Sequence, residues 1–389
     1  MIDRRVLHNN SRMLVEELES LSVLENRFSD IRLVNLVHGE KVGNFSLVFR
    51  ALDRKTNNAV ALKFFDQDPA KQCPYRLLCF DREQALLWKL RDAPRCLQIV
   101  EPLRSYEFLY GEISVAAKYF VTEWLSADID EYFYEDAIDP LQKLYVFNDI
   151  LLAVESLHNR AVFHRDLKVN NFRARQAEGD RVVVAIDLGT AASFESKAIM
   201  SSYGAQAGHL QYSSPEAICG LAAIREIAIL CDVYALGCLL YELFSSNSFY
   251  AEYRTQNADF DLRLMAIQSR ISPSEDSQAL LAAWDSQAAK FLAGLSSLKF
   301  AWTEDGKGAP PAIIDLLNRI LARMTAPNFR NRERSLQRIR ALVRSCITCM
   351  ENERLAKRRA EEAREWRLRR REKAVKRIEK IQMLVGGDS

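Results

Sequence analysis

Polar and apolar positions recur with two different periods along this 389-residue chain, and the change of period divides it. Leu14, Val15, Leu18, Leu21 and Leu24 fall at helical spacing among acids, which predicts an amphipathic helix within 1–28. From Ile31 the pattern turns to strands. Ile31-Arg32-Leu33-Val34 and Ser46-Leu47-Val48-Phe49 flank a glycine-containing turn, and Ala59 to Phe65 reads as a third strand. Residues 76–91 return to a helical pattern, with Leu78, Phe80, Leu86, Leu87 and Leu90 on one broad face. A further pair of strands ends at Tyr119 to Trp124.

Helices dominate after that, at 140–160, roughly 229–244 and 311–325. The exception is Arg181 to Ile186, a short apolar strand that delivers Asp187 at its end. Residues 245–310 are polar and rich in Ser, Ala and Gln, with a loop expected from Gly306 to Pro311. From Glu351 to Val385 neither proline nor glycine interrupts a run of Ala, Glu, Arg and Lys, all of which favour helix. Strands followed by helices predict an α+β chain with a strand-rich and a helix-rich lobe, not one doubly wound sheet.

Composition refines this picture at a few points. Hydrophobic content of 48% and charged content of 27% are those of an ordinary globular chain. A net charge of +2 gives no whole-molecule attraction to a polyanion, but residues 351–389 hold 13 Lys/Arg against 8 Asp/Glu. The eight cysteines are scattered, and Cys346-x-x-Cys349 has no second pair at zinc spacing, so both are expected in a helix packed in the interior. The expectation is free thiols, a cytoplasmic location, no signal peptide and no membrane span.

The chemistry concentrates in two segments. His164-Arg165-Asp166-Leu167-Lys168-Val169-Asn170-Asn171, followed by Asp187-Leu188-Gly189, sets acids, a cation and an amide at a spacing suited to phosphoryl transfer. Asp166 can orient a hydroxyl and Lys168 can neutralise a moving phosphoryl group. Asn171 and Asp187 can hold Mg²⁺, which takes a few protein oxygens and completes its shell with water and phosphate. Upstream, the loop from Gly39 to Val48 can bring backbone N–H groups to an anion, although Gly43 alone falls on a three-glycine register. Lys63, in an apolar strand, can grip two phosphates, and Glu83 on the next helix can hold it.

These segments together resemble the eukaryotic-type serine/threonine protein kinases over roughly residues 29–345. The resemblance rests on Val60 to Lys63, His164 to Asn171, Asp187 to Gly189, Ser214-Pro215-Glu216 and Asp232 to Gly237. It implies a two-lobed kinase-like fold: a helical extension at 1–28, an N-lobe at 29–125, a C-lobe at 126–345 containing the long 245–310 segment, and a charged, basic helical tail at 346–389. It also implies Mg²⁺-dependent transfer of the ATP γ-phosphoryl group to Ser/Thr hydroxyls of a protein substrate. Asp166, Lys168, Lys63 and Glu83 would be the catalytic set, with Asn171 and Asp187 as metal ligands. The nucleotide site would comprise Gly43, Val48, Ala61, Lys63, Thr122, Glu123 and Leu125, with Thr122 as gatekeeper and Glu123-Trp124-Leu125 as hinge. Lys168, two residues after Asp166, matches the serine/threonine pattern.

The resemblance further implies that Glu216 pairs with an arginine near the last helices, Arg330 first and Arg332 next. Arg165 suits recognition of a phosphate on Ser201, Ser202 or Tyr203. Three departures stand out: the glycine-poor loop; Arg173 where an aliphatic residue usually underlies the adenine, with Phe172 beside it as a substitute; and His209 where a threonine hydroxyl usually bridges Asp166 and Lys168, a bridge the imidazole could supply instead. They sustain the alternative of a pseudokinase, a fold-keeping module that acts by binding partners. For the tail, with its sparse stripe of Trp366, Ala374, Ile378, Ile381 and Val385, three readings stay open. It is a solvated helix, a partner or dimer helix, or a basic element for nucleic acid or acidic membrane, the last weakened because acids interleave with the bases.

Overall fold

Side chains alternating between two faces of β2 (Ser46–Asp53) and β3 (Asn58–Phe65) build the first layer of the fold. The computed structural model describes residues 6–37, 40–41, 46–135, 137–177, 180–193, 208–271, 276–302 and 308–385. Its main sheet runs antiparallel in the order β1 (Phe28–Leu33), β2, β3, β5 (Ile113–Glu123), β4 (Ile99–Tyr110). Leu47, Phe49, Leu62 and Phe64 are buried on one face, where Tyr119 stacks on Phe64 with ring centroids 4.7 Å apart. Helix α1 (Asn9–Ser20) adds Leu14, Val15 and Leu18 to that same core. The helix expected within 1–28 thus spans Asn9–Ser20, and it is a layer of this core and not an appendage. Helix α2 (Pro74–Lys89) meets the other face, where Phe80 packs on Phe65 and Phe120. Arg27 joins the sheet's edges, bonding both carboxylate oxygens of Asp53 at 2.8 Å and also meeting Glu101.

The rest of the chain is largely helical. Helices α3 (Glu131–Tyr134), α4 (Pro140–His158), α5 (Pro215–Ile218) and α6 (Arg225–Ser245) enclose a second core. Two antiparallel pairs, β6 (Val162–Phe163) with β9 (Ala192–Ser193) and β7 (Phe172–Ala177) with β8 (Asp180–Ala185), carry the loops described below. Helix α6 is long and apolar enough to cross a membrane by length and composition alone, but 89% of its most apolar window is buried inside the protein.

The polar 245–310 segment has secondary structure of its own. It folds as α7 (Phe249–Gln256), α8 (Phe260–Gln268) and α9 (Ser277–Phe291), while Gly306 lies outside the described residues. Single large residues anchor each helix: Phe249 stacks on Tyr253, Tyr253 meets Phe260 edge-on at 5.1 Å, and Trp284 is fully buried. Helix α10 (Ile314–Thr325) packs on α6, and Gly237 is required there because a Cβ would lie 2.5 Å from the Thr325 methyl.

The chain closes with α11 (Leu336–Val385), one unbroken helix. Leu336, Ile339, Val343, Cys346 and Met350 are buried, so the tail expected from 346 is the outward continuation of a core helix. It runs antiparallel to α4, as Arg340–Glu155, Glu351–Tyr145 and Arg354–Asp139 show. Cys346 is interior as expected, but Cys349 is exposed, its thiol 3.6 Å from the Ala312 carbonyl oxygen.

Glu216 at the start of α5 pairs with Arg332, not with Arg330, the first expectation. Both partners have fully buried side chains, with Nη2 to Oε2 at 2.8 Å and further bonds from Arg332 to the carbonyls of Ala326 and Leu230. Arg330 instead reaches Asp285 on the surface at 2.8 Å. Two residues of sequence separate a buried partner from an exposed one.

Removing one side of a buried pair strands the other charge. Arg332→Ala should cost about 3–5 kcal/mol in denaturant unfolding, whereas Arg330→Ala should cost less than about 1 kcal/mol. Equal losses would contradict this assignment. The Arg27 side chain, by its hydrogen bonds, holds the Asp53 carboxyl well below the usual carboxylate range despite burial. Asp53 therefore contributes stability above its unfolded pKa of about 4, and loses it as pH falls below that value. Stability measured from pH 7 to pH 3 should fall more steeply for the parent than for Asp53→Asn.

Candidate active site

Strand parity brings Lys63 to the site. Ala61 and Lys63 alternate with buried Leu62 and Phe64, so they face away from the α1 core. Val48 lies opposite Lys63 on β2, Phe120 lies opposite Lys63 on β5, and Thr122 lies opposite Ala61. Val48, Ala61, Lys63 and the buried Thr122 thus share one surface.

From that surface Lys63 Nζ donates to both oxygens of Glu83 on α2, at 2.8 and 2.7 Å, and to Asp187 Oδ1 at 3.1 Å. Burial alone would lower the lysine pKa, but Asp187 and Glu83 outweigh it and hold the ammonium above its ordinary value. The two carboxylates divide. Burial pushes Glu83 up against the pull of Lys63, whereas Lys63 pulls Asp187 down against burial. One ammonium cannot fully compensate two carboxylates, and Asp187, at 39% side-chain exposure against 4% for Glu83, is the better solvated.

Asp187 follows β8 in a left-handed backbone conformation with φ 61°. The preceding Ile186 donates its N–H to the Asn171 carbonyl at 2.9 Å and sets its own carbonyl 2.9 Å from His164 Nε2. These bonds register the Asp187 strand against the His164 to Asn171 loop. That loop is held from below by Asp232 of α6, which accepts the backbone N–H groups of His164 and Arg165 at 2.9 and 2.8 Å and lies 2.8 Å from His158 Nε2. Burial opposes ionisation of Asp232, but these donors outweigh it and its pKa stands below the ordinary carboxylate value.

Within the loop, Asp166 Oδ2 accepts from Lys168 Nζ at 3.0 Å and from Asn171 Nδ2 at 3.2 Å. Asn171 Nδ2 also donates to the Asp166 carbonyl at 2.7 Å, which leaves its Oδ1 as the prong turned away from Asp166. Asp166 Oδ1 accepts the backbone N–H of His209 at 2.7 Å. The bridge expected from the His209 imidazole is therefore made by its main chain, and the ring stands 6.0 Å from the Tyr212 ring. Gly208 makes this approach: its φ is +84°, and an added Cβ would lie 2.3 Å from the Arg165 carbonyl oxygen.

Glu123 ends β5 with its backbone N–H on the Gln98 carbonyl at 2.9 Å, and Leu125 is buried just beyond. Arg175 of β7 clamps this segment, donating through Nε to Glu123 at 2.8 Å and also to the carbonyls of Pro94 and Cys96. Nothing in the local spacing singles Arg175 out, because its partners lie about 50 and 80 positions away. Phe172 is fully buried in the larger core and so is not the adenine floor, and Arg173 stands 3.7 Å from Asp128. Arg165 is buried, its guanidinium without a hydrogen-bond partner among the described residues, and burial lowers its pKa. Gly43 and the candidates Ser201, Ser202 and Tyr203 lie outside the described residues.

Lys63, Glu83 and Asp187 thus form one network, Asp166, Lys168 and Asn171 a second, and backbone bonds join them. Asn171, just before β7, and Asp187, just after β8, offer two hard oxygen donors, a set that fits Mg²⁺ when phosphate and water supply the remaining ligands. Among the described residues no group of three or more His, Cys, Asp and Glu is arranged to hold a metal ion without them.

Comparison with known proteins agrees with this geometry. The family model for the protein kinase domain matches residues 39–365. A probable serine/threonine-protein kinase of Corynebacterium efficiens is 30% identical over 207 residues, covering 52% of this chain and 29% of the relative. A probable cell division protein kinase of Encephalitozoon cuniculi is 26% identical, covering 52% and 68%. A dual specificity protein kinase of Mus musculus is 27% identical, covering 51% and 22%. The match spans less than a third of the Corynebacterium and mouse proteins' own lengths.

Replacing Gly208 by Ala should push the backbone off Arg165 and release the His209 amide from Asp166. The expected outcome is a loss of about 1–3 kcal/mol and faster hydrogen exchange at His209. Unchanged protection of that amide would show that the close approach is not what holds it.

Proposed function

The chain belongs to the protein kinase family, and on that premise we propose that it transfers the γ-phosphoryl group of ATP to serine or threonine hydroxyls of a protein substrate. The observation that carries this reading is the coincidence of Lys63, tied to Glu83 and Asp187, with Asp166, Lys168 and Asn171 in one bonded arrangement. Adenine would lie against Val48, Ala61 and Thr122, beside the Glu123 to Leu125 segment. Lys63, oriented by Glu83, would grip the phosphates. Asp166 would orient the substrate hydroxyl and receive its proton, and Lys168 would neutralise charge on the phosphoryl group in flight. Asn171 and Asp187 would hold Mg²⁺, which when bound supplies positive charge against the nucleotide phosphates. The lysine two positions after Asp166 supports the serine/threonine assignment.

The pseudokinase alternative rested on Arg173, His209 and the glycine-poor loop. The His209 main chain already serves Asp166, which weakens it. Labelled ATP with Mg²⁺, a generic basic protein and phosphoamino-acid analysis separates the readings. Wild type should incorporate phosphate on serine or threonine, and Asp166→Ala should lose on the order of 10²–10⁴-fold in kcat while remaining folded at the assay temperature by circular dichroism. Lys63→Met should likewise cripple turnover. Equal incorporation by wild type and Asp166→Ala would sink the mechanism. Product on tyrosine alone would sink the specificity.

A further inference from the structure

The outer part of α11 is the largest surface feature that phosphoryl transfer leaves unused. Past the contacts of Glu351 with Tyr145 and Arg354 with Asp139, the helix departs from the body, and every residue from Ala356 to Lys376 is exposed. That stretch is about 31 Å long at 1.5 Å per residue. Residues 354–376 hold 11 Lys/Arg and 4 Asp/Glu, so the net +2 of the chain is +7 here against −5 elsewhere.

Acids interleave with bases along the sequence; Glu362 falls among the cations, 3.7 Å from Arg358, but from Arg364 onward the helix separates the two signs. Glu365 and Glu372, two turns apart, stand on one narrow side. Arg369, Lys373 and Lys376 form one flank and Arg367 and Arg371 the other, with Arg370 between them covering the Trp366 ring at 5.2 Å. From Arg364 onward, cations occupy about two-thirds of the circumference. Exposed pairs of Arg369 with Glu365, at 3.3 Å, and of Arg358 with Glu362, at 3.7 Å, are seen among the described residues, and such pairs contribute little.

From this we infer that the projecting helix binds duplex DNA through its phosphates. An anionic membrane meets one side of a helix and draws in a wide apolar face. Here the exposed Leu368 and Val375 border the acidic side while Trp366 stands opposite, so no such face forms among the described residues. A major groove about 12 Å wide, with phosphates along both walls, suits a helix that is positive on both flanks. Eight of the 11 cations in 354–376 are arginines, whose planar fork pairs with phosphate oxygens. The contacts are to backbone, so binding carries no sequence preference. The inference is independent of the catalytic reading.

Fluorescence anisotropy of the full chain with a labelled duplex of about 20 base pairs tests it. Engagement of about four phosphates gives a log–log salt slope near −3.6, and affinity weakened on the order of 100-fold between 50 and 200 mM KCl. The double exchange Arg370→Glu with Glu372→Arg keeps net charge but destroys the segregation. It should weaken binding several-fold or more and flatten the slope by about one unit, with helix content by circular dichroism unchanged. Parent-like affinity in the exchange variant would reduce the effect to net charge and overturn the inference, as would a slope near zero. Tighter binding to phosphatidylserine vesicles than to duplex at the same ionic strength would assign the helix to membranes instead.

Discussion

An ammonium group taken out of water needs negative charge around it, and the architecture of this chain follows from how Lys63 is supplied. Its two carboxylates come from different layers, Glu83 from the helix behind the sheet and Asp187 from the end of a strand belonging to the larger core. The triad therefore depends on both cores being formed and correctly opposed. Isolated charges of this kind are costly to bury, and removing one partner leaves an uncompensated group. The unequal sharing matters chemically. Burial raises the pKa of Glu83, the more buried of the two, while Lys63 lowers that of Asp187 on the side where solvent reaches.

The second constraint is a carboxylate that touches no reacting group. Asp232 collects two backbone N–H groups and a histidine, and so fixes the bend at Arg165, whose φ is 63°. A left-handed residue without glycine's freedom is held only where its surroundings over-determine it. The main chain does comparable work at Gly208 and His209. A backbone amide there meets Asp166, so the identity of the side chain at 209 bears on the site less than a residue-by-residue reading suggests.

Helix α11 joins two regimes in one element. Its first turns are apolar knobs packed beside α4 and α10, and its outer turns are solvated and charged. The packed end provides the helical nucleus, so the outer turns need only propagate, which is far cheaper than starting a helix in water. A rigid, projecting array of charges follows directly from rooting the helix in the core.

Local pattern made much of this legible. The strands from Phe28 to Phe65 and the helices near 76, 140, 229 and 311 follow from periodicity, because those features are written within a few residues of one another; that Lys63, Asp166 and Asp187 belong to one site was implied by the resemblance of their short motifs to a known family. Three things were not. The helices between 249 and 291 each rest on one or two buried aromatics, too sparse to register as a period. The choice of Arg332 over Arg330 turns on which guanidinium faces Glu216, 116 residues distant in the chain. The Arg175 clamp and the Asp232 support link positions tens of residues apart.

Residue types and spacing alone determined which atoms the site would have and which segments would be helix or strand, since both depend on neighbours in the chain. Only the folded arrangement decided which of two nearby arginines is buried, which atoms of His209 serve Asp166, and that acids and bases interleaved beyond Arg364 end on different sides of a helix. Pairing energy depends on distance and burial in space, and those are properties of the packed chain.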